Sequence, residues 1–139
     1  MVDILSGLEH LHSQYKILHN DLKDDNIALS KTSSQIRAVI VDFGKACKIS
    51  EGKYYSLTQE EKKRYKTHHP QIAPDLCDGH SRQSATTDVY SVGRVLSTIN
   101  VHSSLNNDRI KEVSEQCMQY NGELRPDIIT LKNAVTIEV

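Results

Sequence analysis

The sequence predicts a mainly helical fold with short β-hairpins. Three observations carry that expectation. Apolar residues recur three and four apart in "VDILSGLEHLHSQ" and again in "SATTDVYSVGRVLSTI". The β-branched runs are short, and a charge-dense stretch, "ILHNDLKDDNIAL", stands between two apolar runs. With 139 residues the chain fits one domain, burying roughly 68% of the surface its unfolded form exposes.

Taken in order, residues 2–14 place Ile4, Leu5, Leu8 and Leu11 on one helical face. Residues 16–18 form a short apolar strand. "NIALS" and "IRAVIVDF" read as two further strands joined by the polar loop "KTSSQ". The second ends at Asp42-Phe43-Gly44, where a glycine lets the backbone bend. Residues 50–72, rich in Lys, Glu, Tyr and Thr, are expected to form a long surface loop, a kind often functional. A helix over 84–99 turns Val89, Val92, Val95, Leu96 and Ile99 inward, with Thr86 or Thr87 as its cap. Another over 108–120 spaces Ile110, Val113, Cys117 and Tyr120 three and four apart and is closed by Gly122. Pro126 opens a last helix over 127–135.

A formal charge of −1 and 37% hydrophobic residues describe an ordinary globular protein. The balance argues against a nucleic-acid binder, which would show a basic face. No apolar run approaches the roughly 20 residues that span a bilayer, so no membrane partner is expected. "MVDILSGLEH" lacks the basic start and long apolar stretch of a signal peptide. Cytoplasmic placement is the expectation. Cys47, Cys77 and Cys117 suit neither a disulfide framework nor a zinc site and read as free thiols in a reduced compartment. The histidines show no helical ligand pair four apart.

The charge-dense stretch asks for an explanation. Asp21, Lys23, Asp24, Asp25 and Asn26 lie within six positions, just behind His19. Asp21 and Asn26 share one turn, and Asp42 closes the next hairpin. Two carboxylates and an amide oxygen suit a hard cation whose remaining ligands are phosphate oxygens and water. Magnesium binds in that way, at about 2.0–2.1 Å. Lys23 supplies positive charge for a phosphate in motion. The alternative is an acidic loop that only solvates itself.

"HNDLKDDN" resembles the catalytic loop H-R-D-L-K-x-x-N of the eukaryotic protein kinases, and "DFG" resembles their magnesium signature. The order of further motifs agrees. "IAPD" at 72–75 is similar to the A-P-E closing their activation segment, "DVYSVGRVL" to the core helix of their large lobe, and "RP" at 125–126 to their late arginine. The resemblance implies a C-terminal (large) lobe over residues 1–139, truncated on its N-terminal side. The glycine-rich roof, strand lysine and partner glutamate of the small lobe are absent from the chain. A reduced substrate-docking helix is expected after residue 100.

Carried over residue by residue, the resemblance makes Asp21 the group that orients the substrate hydroxyl and Lys23 the screen for the moving phosphoryl group. Asn26 and Asp42 would hold magnesium. Ile27, Ala28 and Leu29 would floor the adenine pocket; their plainer reading is core, as in any fold. His19 and Phe43 would belong to the hydrophobic column between lobes. Asp88 would hold the catalytic loop from below, and Arg125 would pair with Asp75. The implied activity is ATP- and magnesium-dependent transfer of a γ-phosphate to a protein hydroxyl, of serine/threonine or tyrosine-kinase-like type. A missing small lobe or partner chain would complete it. The rivals are a kinase-like scaffold without turnover and a small-molecule phosphotransferase; the "APD" segment, Asp88 and Arg125 speak against the latter.

Two departures stand out. Asn20 replaces the arginine that usually gathers an activation-segment phosphate, so phosphorylation of Tyr55, Ser56 or Thr58 is not expected to act as the switch by that route. His68 and Gln71 stand where threonine and tyrosine are usual, which makes the peptide-docking loop atypical.

Overall fold

A computed structural model describes residues 1–102 and 107–137. Helix α1 (Val2–His10) buries Ile4, Leu5 and Leu8, as its spacing predicts. The helix expected over 2–14 is not uniform, however. It widens into a π-helical turn at Leu11–Tyr15 and stops at Lys16, whose φ of 55° is left-handed. A lysine there ends the helix, because the left-handed region crowds its Cβ against the next carbonyl.

Four short strands follow: β1 (Ile17–Leu18), β2 (Ile27–Lys31), β3 (Ile36–Ile40) and β4 (Cys47–Lys48). They make two antiparallel pairs, β2 with β3 and β1 with β4. In the hairpin Ile27 faces Ile40 and Lys31 faces Ile36, and Val41 N–H donates to the Asn26 carbonyl at 2.9 Å. That register places Asn26 and Asp42 at one end of the hairpin.

The stretch expected to be one loop over 50–72 contains helix α2 (Gln59–His68). Apolar periodicity could not reveal it, since none of its residues is buried. Its start is nonetheless written in "TQEE". The Thr58 hydroxyl accepts from Glu61 N–H at 3.2 Å and the Glu61 carboxylate accepts from Thr58 N–H at 3.0 Å, a reciprocal capping box. The Thr58→Ala variant is expected to lose about 1 kcal/mol, read as a lower melting temperature. Unchanged melting would show that α2 does not depend on its cap.

Helices α3 (Pro74–Cys77), α4 (Ala85–His102), α5 (Asp108–Cys117) and α6 (Ile128–Ile137) follow among the described residues. Leu5 and Leu8 of α1, Val89, Val92 and Leu96 of α4, Val113 and Cys117 of α5, and Leu131 and Val135 of α6 form one core with Leu22. A Cβ added at Gly93 would lie 2.6 Å from that of Cys117, so glycine permits α4 and α5 to approach. Ile99 departs from the expected inward face; it is 47% exposed near the end of α4. The caps also differ from expectation. Thr86 and Thr87 lie inside the first turn of α4, and the Thr87 hydroxyl accepts from Ser84 N–H at 3.0 Å. Helix α5 ends at Cys117, so Tyr120 lies beyond it, and Gly122 sits in a separate 3-10 turn. Pro126, expected in the first turn of the last helix, lies two residues before α6, and Asp127 caps it, accepting from Thr130 N–H at 2.8 Å. The reduced docking helix expected after residue 100 falls partly on 103–106, outside the described residues.

All three cysteines are free thiols. Burial pushes the Cys117 thiol up to about 12, which keeps it protonated and inert. No described helix is long and apolar enough to cross a membrane.

Candidate active site

The site is built upward from Asp88, in the first turn of α4 and 1% exposed. Its Oδ2 lies 2.8 Å from His12 Nε2 and accepts from His19 N–H at 2.9 Å; Oδ1 accepts from Asn20 N–H at 3.0 Å. A helix N-terminus favours a carboxylate, and these partners satisfy it. The His19–Asn20 backbone is thereby fastened to α4, with Asn20 at a left-handed φ of 68°.

Above it, the fully buried His19 ring bridges two segments. Nδ1 accepts from Asp21 N–H at 3.2 Å, and Nε2 lies 3.0 Å from the Val41 carbonyl. A carbonyl only accepts, so the proton sits on Nε2. The Phe43 ring meets His19 edge-on, 5.1 Å between centroids. One imidazole thus ties the turn before Asp21 to the end of the hairpin that carries Asp42.

Asp21 and Asn26 are buried, at 7% and 6% exposure. The Asn26 amide donates to the Asp21 carbonyl at 2.7 Å and to its Oδ2 at 3.1 Å. Oδ1 has longer contacts, 3.5 Å from Gln71 Nε2 and 3.7 Å from Lys45 Nζ. The Lys45 side chain is 60% exposed, and such a solvated pair contributes little. Gln71 is held from beneath by the Ser91 hydroxyl, which donates to its carbonyl at 2.7 Å. Sequence reading met Gln71 only as a departure and missed Lys45 altogether. Both reach Asp21 through tertiary contacts that no local pattern encodes.

Asp42 is exposed, and it adopts the left-handed conformation itself, at φ 62°. The bend expected at Gly44 therefore falls two residues earlier. Aspartate tolerates it because its short side chain bonds locally; Oδ1 accepts from Gly44 N–H at 3.2 Å. Lys23 is half-buried in a cleft beside Gln71. Ile27 is half-buried, whereas Ala28 and Leu29 are exposed, Leu29 by 74%, so they are not core. They lie on the hairpin's uncovered surface.

Asn20 uses its amide to donate to the Lys45 carbonyl at 3.1 Å and to Cys47 Sγ at 3.3 Å. Where an arginine would reach for a phosphate, this side chain binds the segment after Phe43 directly. Asp75 and Arg125 form a separate buried network. Arg125 Nη2 donates to Asp75 Oδ1 at 2.6 Å, and the Ser81 hydroxyl donates to Oδ2 at 2.6 Å. The same guanidinium also serves three carbonyls, those of Gln119, Thr86 and Tyr120.

A family model described as "Protein kinase domain" matches residues 1–135. Over 93 residues the chain is 36% identical to mitogen-activated protein kinase kinase kinase 8 of Rattus norvegicus, covering 67% of this chain and 17% of that protein. It is 38% identical over 93 residues to a serine/threonine-protein kinase, WNK9, of Oryza sativa subsp. japonica, covering 66% and 19%. A receptor-like protein kinase of Arabidopsis thaliana is 32% identical over 122 residues, covering 86% and 25%. The chain thus spans a quarter or less of the length of these curated relatives.

Proposed function

The chain belongs to the protein kinase family, and from that premise we propose that it supplies the large-lobe half of a phosphotransferase. The reaction is transfer of the γ-phosphate of ATP to a protein hydroxyl, of the serine/threonine type, with magnesium. The observation that carries this reading is the buried Asp21–Asn26 pair, joined by two hydrogen bonds, at the hairpin end that also bears Asp42.

The donor set fits magnesium. Asn26 commits its nitrogen to Asp21 and keeps Oδ1 as a hard oxygen donor. Asp42 adds a carboxylate. One or two such groups plus substrate phosphates are what this ion takes from a protein, and Asn26 and Asp42 would hold it. When bound, it would neutralise charge on the phosphate oxygens. Asp21 would orient the acceptor hydroxyl and take its proton as the new P–O bond forms and the bond to ADP breaks. Its Oδ1, with two longer contacts among the described residues, is the oxygen available for this. Lys23 would screen the phosphoryl group in transit. Ile27, Ala28 and Leu29 would lie beneath the adenine, and His19, Phe43, Asp75, Asp88 and Arg125 support the site. A cytoplasmic location accords with this chemistry.

A second reading, a kinase-like binding module without turnover, draws support from the hairpin. Leu29 and Ile36, which the register places on one face of the hairpin, are 74% and 64% exposed, and exposed apolar surface of this kind suits docking. Magnesium-dependent ATP binding and phosphate transfer separate the two readings. The chain joined to any coding sequence immediately upstream is expected to show both. Residues 1–139 alone are expected to bind nucleotide weakly and turn over negligibly. A folded protein without transfer in either form leaves the binding module.

A further inference from the structure

A cleft of about 250 Å³ opens beside Asp21, lined by Lys23, Asp24, Asp25, Gln71 and Arg94, with His68 and His69 on the α2 side. Gln71 belongs both to this wall and to the contacts of the Asp21 carboxylate. Whatever occupies the cleft therefore lies next to the acceptor position.

Burial sorts its charges. Lys23, Arg94 and His69 are half-buried and Gln71 is buried, whereas Asp24 and Asp25 are exposed at the rim. Asp24 Oδ1 already accepts from Asp25 N–H at 3.0 Å. Among the described residues neither Lys23 nor Arg94 has an ion-pair partner. Two half-buried cations without counter-ions, over a floor that offers no carboxylate, leave room for an anion. The rim acids feel bulk water and are screened; the cations, partly shielded from it, act more strongly on a ligand.

We propose that this cleft reads an acidic side chain of the substrate, a carboxylate or a phosphate, on a residue flanking the acceptor hydroxyl. The inference rests on the phosphotransfer reading for its substrate, yet binding alone tests it. Arg94 is its specificity residue. Its planar fork suits two-point capture of a carboxylate or phosphate, and it lies on α4, outside the catalytic loop.

The test uses fluorescent serine peptides that differ only at the residues flanking serine: aspartate, phosphoserine, alanine or arginine. Binding is measured by anisotropy, without nucleotide. Acid-flanked peptides are expected to bind about tenfold tighter than the alanine peptide, as charge-assisted hydrogen bonds allow. The phosphoserine and aspartate arms tell a phosphate reader from a carboxylate reader. Arg94→Glu should erase the preference, and Arg94→Lys should retain part of it. Equal binding of all four peptides overturns the proposal, as does a preference for arginine, which would mean that Asp24 and Asp25 govern the cleft. Equal loss of binding to every peptide in Arg94→Glu, with the fold intact by circular dichroism, also overturns it. Acid preference without phosphate transfer would sink only the phosphotransfer reading; transfer without acid preference would sink only this one.

Discussion

The Arg125→Leu variant is expected to be about 3–5 kcal/mol less stable than the parent chain, with a melting temperature lower by about 10–20 °C. The Arg125 side chain is fully buried and that of Asp75 is 5% exposed. Leucine would leave the Asp75 carboxylate inside the protein with the Ser81 hydroxyl as its remaining side-chain donor. The carbonyls of Gln119, Thr86 and Tyr120 would each lose a donor, and the Tyr90 ring would lose the cation 5.2 Å from its centre. Removing one partner costs more than the pair contributes, because the other stays desolvated. Arg125→Lys should recover only part of the loss, since a single ammonium cannot reproduce a planar fork that serves four acceptors. Scanning calorimetry decides the matter. A leucine variant melting within about 2 °C of the parent would show that the network carries little stability.

Asp21→Asn is expected to slow phosphate transfer by about 10²–10⁴-fold while the fold persists. The substitution preserves shape but removes the carboxylate and its charge. Because Asn26 Nδ2 faces Oδ2, the new amide will present its oxygen to Asn26 and its nitrogen toward Gln71 and Lys45, where it meets other donors. The cost in stability should stay near 1 kcal/mol. The measurement is the single-turnover transfer rate, beside melting curves, in the longest active form of the chain. Transfer within a few-fold of the parent would remove Asp21 from the chemistry. Equal loss of activity and of fold would make its role structural.

Much of the fold was legible because apolar spacing survives folding wherever one face is buried. Leu5 and Leu8, or Val89, Val92 and Leu96, point inward in the structure as they do in the sequence pattern. Helix α2 escaped because it buries none of its residues, leaving only the Thr58–Glu61 capping pair as a signal. Ile99 kept helical spacing and still ended exposed, and Tyr120 lies past the end of α5 and is exposed too. Spacing states which residues could share a face; it does not state how far the neighbouring helix extends over them.

Sequence alone determined the membership of the charged loop: Asp21, Lys23 and Asn26 lie so near in the chain that any compact turn keeps them together, and Asp42 ends the next apolar strand. Tertiary structure decided the rest. It set Asp88 beneath the His19–Asn20 backbone across 69 and 68 positions, brought Gln71 to Asp21 across 50, and moved the backbone bend from Gly44 to Asp42. The physical reason is one of range. Propensity and spacing act over a turn or two, whereas a buried carboxylate takes its partners from whatever donors the packed core carries to it.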